Sequence, residues 1–139
     1  MPSILIADDD RDIRELYRAC FDLSGFRTAE AGTGQEAIRT AERMLPDVLL
    51  TDYVLPDIDG LTVARRLRAQ VRTTGIRIIL MTGFDLEGFQ RKAAAAGICR
   101  ALLKPCLPDA MLREVRRALQ RPPVNLAPGI AVTPPRPAV

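Results

Sequence analysis

The sequence contains no histidine. That excludes Ser-His and Cys-His catalytic arrangements, histidine metal ligands, and phosphorylation of the chain itself on histidine. Its three cysteines, Cys20, Cys99 and Cys106, are odd in number and never spaced as CxxC. This argues against a zinc site and a disulfide framework, and suits packed thiols in a reducing compartment. No apolar run approaches the roughly 20 residues that cross a bilayer. Met1-Pro2-Ser3 opens neither a basic secretory segment nor an amphipathic transit peptide. These absences predict a cytoplasmic chain without membrane insertion. Lysine is nearly absent as well: Lys92 and Lys104 stand against 18 arginines, so each lysine invites a specific question.

What is present supports one folded domain. The chain has 139 residues, 47% apolar and 27% charged. The net charge of +3 is uneven, because residues 121–139 hold Arg121 and Arg136 and no acid. The remainder carries 18 basic and 17 acidic groups, so no direct nucleic-acid contact is expected. Prolines at 122, 123, 128, 134, 135 and 137 forbid a helix there. We therefore expect a domain over 1–120 and a proline-rich tail or linker over 121–139. Its short apolar pieces at 124–126 and 130–132 offer the alternative of docking as extended segments.

The spacing of apolar residues predicts strand and helix alternating five times. Short apolar runs mark strands at 4–7, 26–29, 48–51, 76–81 and 98–103. Residues 10–23 repeat Ile13, Leu16, Tyr17, Cys20 and Leu23 at helical spacing, with Gly25 as the stop. The same reading gives helices at 35–45 (Ile38, Ala41, Leu45), 61–71 (Leu61, Ala64, Leu67, Val71), 86–96 (Leu86, Phe89, Ala93, Ala96) and 108–120 (Met111, Leu112, Val115, Leu119). Such alternation predicts an α/β fold, a doubly wound parallel sheet with helices on both faces. Strands one and three are apolar throughout and belong inside. Strand two carries Arg27 and strand five carries Arg100, so both suit edges. The predicted order is 2-1-3-4-5, with a ligand crevice between strands one and three at their carboxyl ends.

At that edge the order gathers Asp8, Asp9 and Asp10 from strand one, Asp52 from strand three, Thr82-Gly83 from strand four and Lys104-Pro105 from strand five. Two like charges 4 Å apart repel by about 4 kcal/mol at an effective dielectric of about 20. Lys104 alone cannot neutralise Asp8, Asp9 and Asp52. A hard dication can, and an all-oxygen donor set selects Mg²⁺ over zinc or copper. Beside such an ion Asp52 can act as a nucleophile toward phosphorus. Asp8 and Asp9 then hold the metal, and the backbone carbonyl of Val54 is a further candidate ligand. The Thr82 hydroxyl and the Lys104 ammonium can meet phosphoryl oxygens. Asp10 reads as a helix cap, and Asp57 and Asp59-Gly60 as turn formers.

The stretches Ile4 to Asp10, Leu50 to Gly60, Met81-Thr82-Gly83 and Leu103-Lys104-Pro105 together resemble the receiver domain of two-component response regulators. The likeness covers about residues 3–120. It implies a flavodoxin-like fold and a switch in which a sensor histidine kinase or phosphotransfer protein donates phosphoryl to Asp52. Mg²⁺ would sit on Asp8, Asp9, Asp52 and the Val54 carbonyl. Thr82 and Lys104 would engage the phosphoryl group, and the face built from the fourth helix, fifth strand and fifth helix would then rearrange. The resemblance also implies a cis Lys104-Pro105 bond. The chain would not be an enzyme beyond promoting its own phosphorylation and dephosphorylation, and its output would be a protein–protein contact with an unknown target. A homodimer stays open.

Two positions depart from the family pattern. Ala101 stands where an aromatic rotamer switch is usual, and Cys106 where Phe is frequent. Val54 and Phe84, two residues after Asp52 and Thr82, resemble positions that govern hydrolysis; both are apolar here, which predicts slow self-dephosphorylation. The competing readings are a receiver-like interaction module that is never phosphorylated, a receiver excised from a multidomain regulator, and a metal-dependent phosphohydrolase. The last lacks the usual second acid two residues after its nucleophile.

Overall fold

The computed structural model describes residues 1–83 and 86–121, with the side chains of 86 and 87 outside the described set. The expectations for Phe84, Leu86 and the segments 124–126 and 130–132 lie outside the described residues. The element order is β1 (Ser3–Ala7), α1 (Arg11–Leu23), β2 (Arg27–Ala31), α2 (Gly34–Met44), β3 (Val48–Asp52), α3 (Gly60–Arg68), β4 (Arg77–Thr82), α4 (Leu86–Ala95), β5 (Arg100–Leu103) and α5 (Pro108–Leu119). All pairings are parallel and the order is β2-β1-β3-β4-β5, as polarity predicts.

Side chains on the interior strands alternate between two apolar layers, which is why these strands read as continuous apolar runs. Leu5, Leu49, Ile78 and Leu80 join α2, α3 and α4 residues such as Ile38, Leu67 and Phe89. Ile4, Ile6, Val48, Leu50, Ile79 and Met81 face Tyr17 and Phe21 of α1 and Met111 and Val115 of α5. A fully buried aliphatic side chain contributes about 1.5–3 kcal/mol, so these two layers carry the fold. Among the described residues no helix is long and apolar enough to cross a membrane. The three cysteines are unpaired thiols.

Several apolar expectations fail, most of them at helix ends. Leu16 and Leu23 of α1 are exposed, while Phe21 is buried against Phe26 with ring centroids 5.8 Å apart. The inward face therefore keeps Ile13, Tyr17 and Cys20 of the expected stripe and takes Phe21 in place of Leu16 and Leu23. Leu45 is exposed because it ends α2 in the left-handed conformation at φ 49. Val71 is exposed because α3 stops at Arg68. There the Thr73 hydroxyl donates to the Leu67 carbonyl at 2.6 Å, and the Thr73 amide donates to the Gln70 carbonyl. β2 and β5 begin later than expected. Phe26 and Ile98 still enter the core as residues of the preceding turns.

Candidate functional site

Four of the five strands, β1, β3, β4 and β5, deliver groups to the carboxyl edge of the sheet. The amide of Asp8, just past β1, donates to the Ala31 carbonyl at 3.1 Å, which extends the β1–β2 ladder by one bond. The Asp8 side chain is buried, and its Oδ1 accepts from the Asp10 amide at 2.9 Å. Asp10 caps α1, accepting from the amides of Asp12 and Ile13. This double turn leaves Asp9 exposed at the rim. Asp52 ends β3 and is 7% exposed. A Cβ on Gly60 would come within 2.5 Å of the Asp52 carbonyl, so glycine is required where the following loop folds back. The Gly60 amide closes that loop on the Tyr53 carbonyl at 2.7 Å.

Carboxylate oxygens of Asp8, Asp9 and Asp52 lie within 4.8 Å of one another. Lys104, just past β5, places Nζ 2.9 Å from Asp52 Oδ2 and 3.3 Å from Asp8 Oδ2. Burial opposes its charge, but the hydrogen bonds and charges of the two aspartates prevail and hold its pKa above the ordinary lysine value. One cation thus faces three carboxylates. The imbalance falls on Asp8: burial, helped by the charge of Asp52, raises its pKa despite the Asp10 amide and Lys104. Three carboxylates sharing one ammonium make a site short of positive charge. The donors are all hard oxygens, and the cluster fits a metal ion.

The other expected residues fall nearby. Thr82 ends β4, is fully buried, and its carbonyl accepts from the Lys104 amide at 2.7 Å. Val54 is exposed in the loop after Asp52. The Lys104-Pro105 peptide is cis. Ala101 is partly buried against the layer formed with α2, α3 and α4. Asp59 caps α3 through the Thr62 amide at 2.8 Å. Asp57 does more than form a turn: it accepts from the amides of Gly34 and Gln35 at 2.7 and 2.9 Å, capping α2 from across the site.

Three contacts escaped the sequence reading. Besides the Asp57 cap, Arg14 reaches the Asp8 carbonyl. The buried Tyr17 hydroxyl donates to the Cys106 carbonyl at 2.6 Å, and burial pushes the phenol pKa up to about 12. Asp57 and Tyr17 find partners 23 and 89 residues away, which leaves no local signal. Arg14 and Asp8 are close in sequence, but a side chain reaching a backbone carbonyl leaves no mark in residue type.

Comparison with known proteins adds to this geometry. Residues 4–116 match the family model described as the response regulator receiver domain. The chain belongs to the response regulator receiver domain family. This receiver is 33% identical over 121 residues to the DNA-binding dual master transcriptional regulator RpaA of a Synechocystis species, covering 87% of this chain and 50% of RpaA. It is 38% identical over 119 residues to the transcriptional activator ExaE of Pseudomonas putida, covering 84% and 54%. The chain therefore spans about half the length of these curated relatives. Among solved structures it resembles the chemotaxis response regulator CheY4 of Vibrio cholerae, with a TM-score of 0.81, 25% identity, and 86% and 99% of the two chains covered. A putative response regulator from Chloroflexus aurantiacus gives a TM-score of 0.80 at 30% identity, with 87% and 100% covered. As a receiver, the domain belongs to phosphorylation-dependent two-component signalling, and its acidic pocket fits the phospho-acceptor site.

Proposed function

We propose that the receiver is a cytoplasmic switch in which Asp52 accepts a phosphoryl group from a sensor histidine kinase or phosphotransfer protein. In that step the P–N bond of the donor's phosphohistidine breaks and a P–O bond to an Asp52 carboxylate oxygen forms. Asp8, Asp9, Asp52 and the Val54 backbone carbonyl would hold Mg²⁺. The ion would supply the positive charge that lets anionic nucleophile and anionic phosphoryl group approach. Lys104 supplies the protein's own cation and moves with the phosphoryl oxygens as a point charge. Thr82 donates its hydroxyl to another of those oxygens. The observation that carries this reading is the convergence of three carboxylates within 4.8 Å with one bridging lysine.

With Ala101 unable to act as a rotamer switch, the bond from the Lys104 amide to the Thr82 carbonyl gives a backbone route toward β5 and α5. The output is then a contact with a downstream protein. Residues 1–120 form the switch unit, and 121–139 are a proline-rich extension. Turnover is confined to the chain's own phosphorylation and hydrolysis.

The test is phosphorylation by a small phosphodonor, with and without Mg²⁺, in the wild type and in Asp52→Asn. Metal-dependent uptake by the wild type alone supports the proposal. Equal uptake by Asp52→Asn, or none by the wild type, refutes it. Capture of a partner only by the phosphorylated wild type would identify the target.

A further inference from the structure

The Asp8–Asp9 turn is held from outside by a residue that none of the site's chemistry requires. Arg14, on the first turns of α1, donates Nη1 to the Asp8 carbonyl at 2.7 Å. That carbonyl belongs to the peptide joining Asp8 to Asp9. Its orientation therefore sets where the Asp9 carboxylate stands relative to Asp8. Arg14 is itself oriented, because its Nε donates to Glu30 Oε1 of β2 at 3.0 Å. Both side chains are largely buried, at 17% and 24% exposure. Glu30 also takes Arg18 Nη1 on its other oxygen at 2.7 Å, so it is fixed from two sides. Arg18 pairs with Glu30 and Asp22.

We infer that Arg14, aimed by Glu30, is a positioning residue that sets the Asp8–Asp9 peptide for a hard divalent cation. This rests on the metal reading proposed above. A purely electrostatic role for Arg14 makes the opposite prediction. Removing a cation next to an acidic cluster favours binding of another cation. Removing a brace leaves Asp9 free to leave the cluster, and disfavours it. Outer partners that orient metal ligands typically change affinity by about 10–100-fold. Arg14 acts on a peptide carbonyl between two ligands, so a weakening at or somewhat below that low end, about three- to tenfold, is expected.

The experiment is Mg²⁺ titration by calorimetry of the whole chain as wild type, Arg14→Gln, Glu30→Gln and Arg18→Gln, with amide hydrogen exchange of the metal-free proteins. Glu30→Gln keeps the guanidinium but loosens its aim, and provides a second variant should Arg14→Gln fold poorly. The expected result is weaker Mg²⁺ binding in Arg14→Gln and, less so, in Glu30→Gln. Faster exchange should be confined to the amides of Asp9 and Asp10. Arg18→Gln removes the same charge without touching the turn and loosens Glu30 from one side only, so it should weaken binding less than Glu30→Gln does. Unchanged or tighter binding by Arg14→Gln overturns the inference while leaving the metal site standing. So does equal weakening by Arg18→Gln. A wild type that binds no Mg²⁺ overturns the metal reading, and this inference with it.

Discussion

Two partly buried charged clusters sit at opposite ends of the sheet, and they are built on opposite rules. At the amino end of the strands, Arg68 lies under the turn after α3, and among the described residues its hydrogen bonds go to carbonyls. Its Nε and Nη2 donate to Gly97 at 3.2 and 2.7 Å, and Nη1 donates to Thr74 at 2.9 Å and to Ile76. Burial lowers its pKa, yet one guanidinium satisfies three backbone acceptors in two turns. At the carboxyl end, three carboxylates share one ammonium. The first cluster is closed and needs nothing from solution. The second is open, and its missing charge is the functional signal. Burial of charge is thus a poor guide to function, and incomplete compensation is a better one.

That contrast can be broken one cluster at a time. Arg68→Met leaves the carbonyls of Thr74, Ile76 and Gly97 without their donor, and orphaned buried acceptors cost about 1–3 kcal/mol each. We expect about 3 kcal/mol of lost stability in urea denaturation, with Mg²⁺ affinity unchanged. A parallel loss of metal binding would show that the two ends are not independent.

A smaller effect is expected from adding polar groups two residues after Asp52 and Thr82. Val54→Asn combined with Phe84→Glu should speed loss of the phosphoryl group by about tenfold, less than the roughly 10²–10⁴-fold that a fully positioned acid or base supplies. Thermal stability should hardly move. An unchanged phosphoryl lifetime would remove these two positions from the account.

The smallest effect sharpens the rule, because it concerns an acid at the open end that is fully compensated. Asp57 resembles Arg68 in this respect. Desolvation is outweighed by the amides of Gln35, Ile58 and Gly34, and its pKa falls to about 2 from the ordinary 3.8. A depressed carboxyl pKa contributes stability above the unfolded value and loses it as pH falls through the folded one. Wild type should therefore lose stability between about pH 4 and 2 more steeply than Asp57→Ala. Equal slopes in acid denaturation would mean that the cap on α2 carries no ionic component.

The parts of this architecture written in local pattern were legible from the chain alone. Arg27 and Arg100 betrayed the edge strands, and the uninterrupted apolar runs of β1 and β3 betrayed the interior ones. From that order, Asp8, Asp9, Asp52, Thr82 and Lys104 could be placed at one edge. Helix faces were less legible, because exposed Leu16 and Leu23 carry the same apolar signal as buried Phe21. The braces were not legible at all. Arg14 finds Glu30 at a separation of 16 residues, and Asp57 finds Gly34 at 23. No periodicity connects such pairs; only the parallel register, which sets Ile6 beside Glu30, brings the first of them together.

The most direct test of the open cluster is a change of sign. Asp9 is the exposed acid of the three, so Asp9→Asn removes repulsion without burying a new polar group. Without metal, Asp9→Asn should unfold at a higher temperature than the wild type. In saturating Mg²⁺ the order should reverse, since only the wild type retains the full set of ligands and gains stability by binding. A variant that is less stable than the wild type in both conditions, or a wild type indifferent to Mg²⁺, would contradict the claim that this nest of carboxylates is built for a dication.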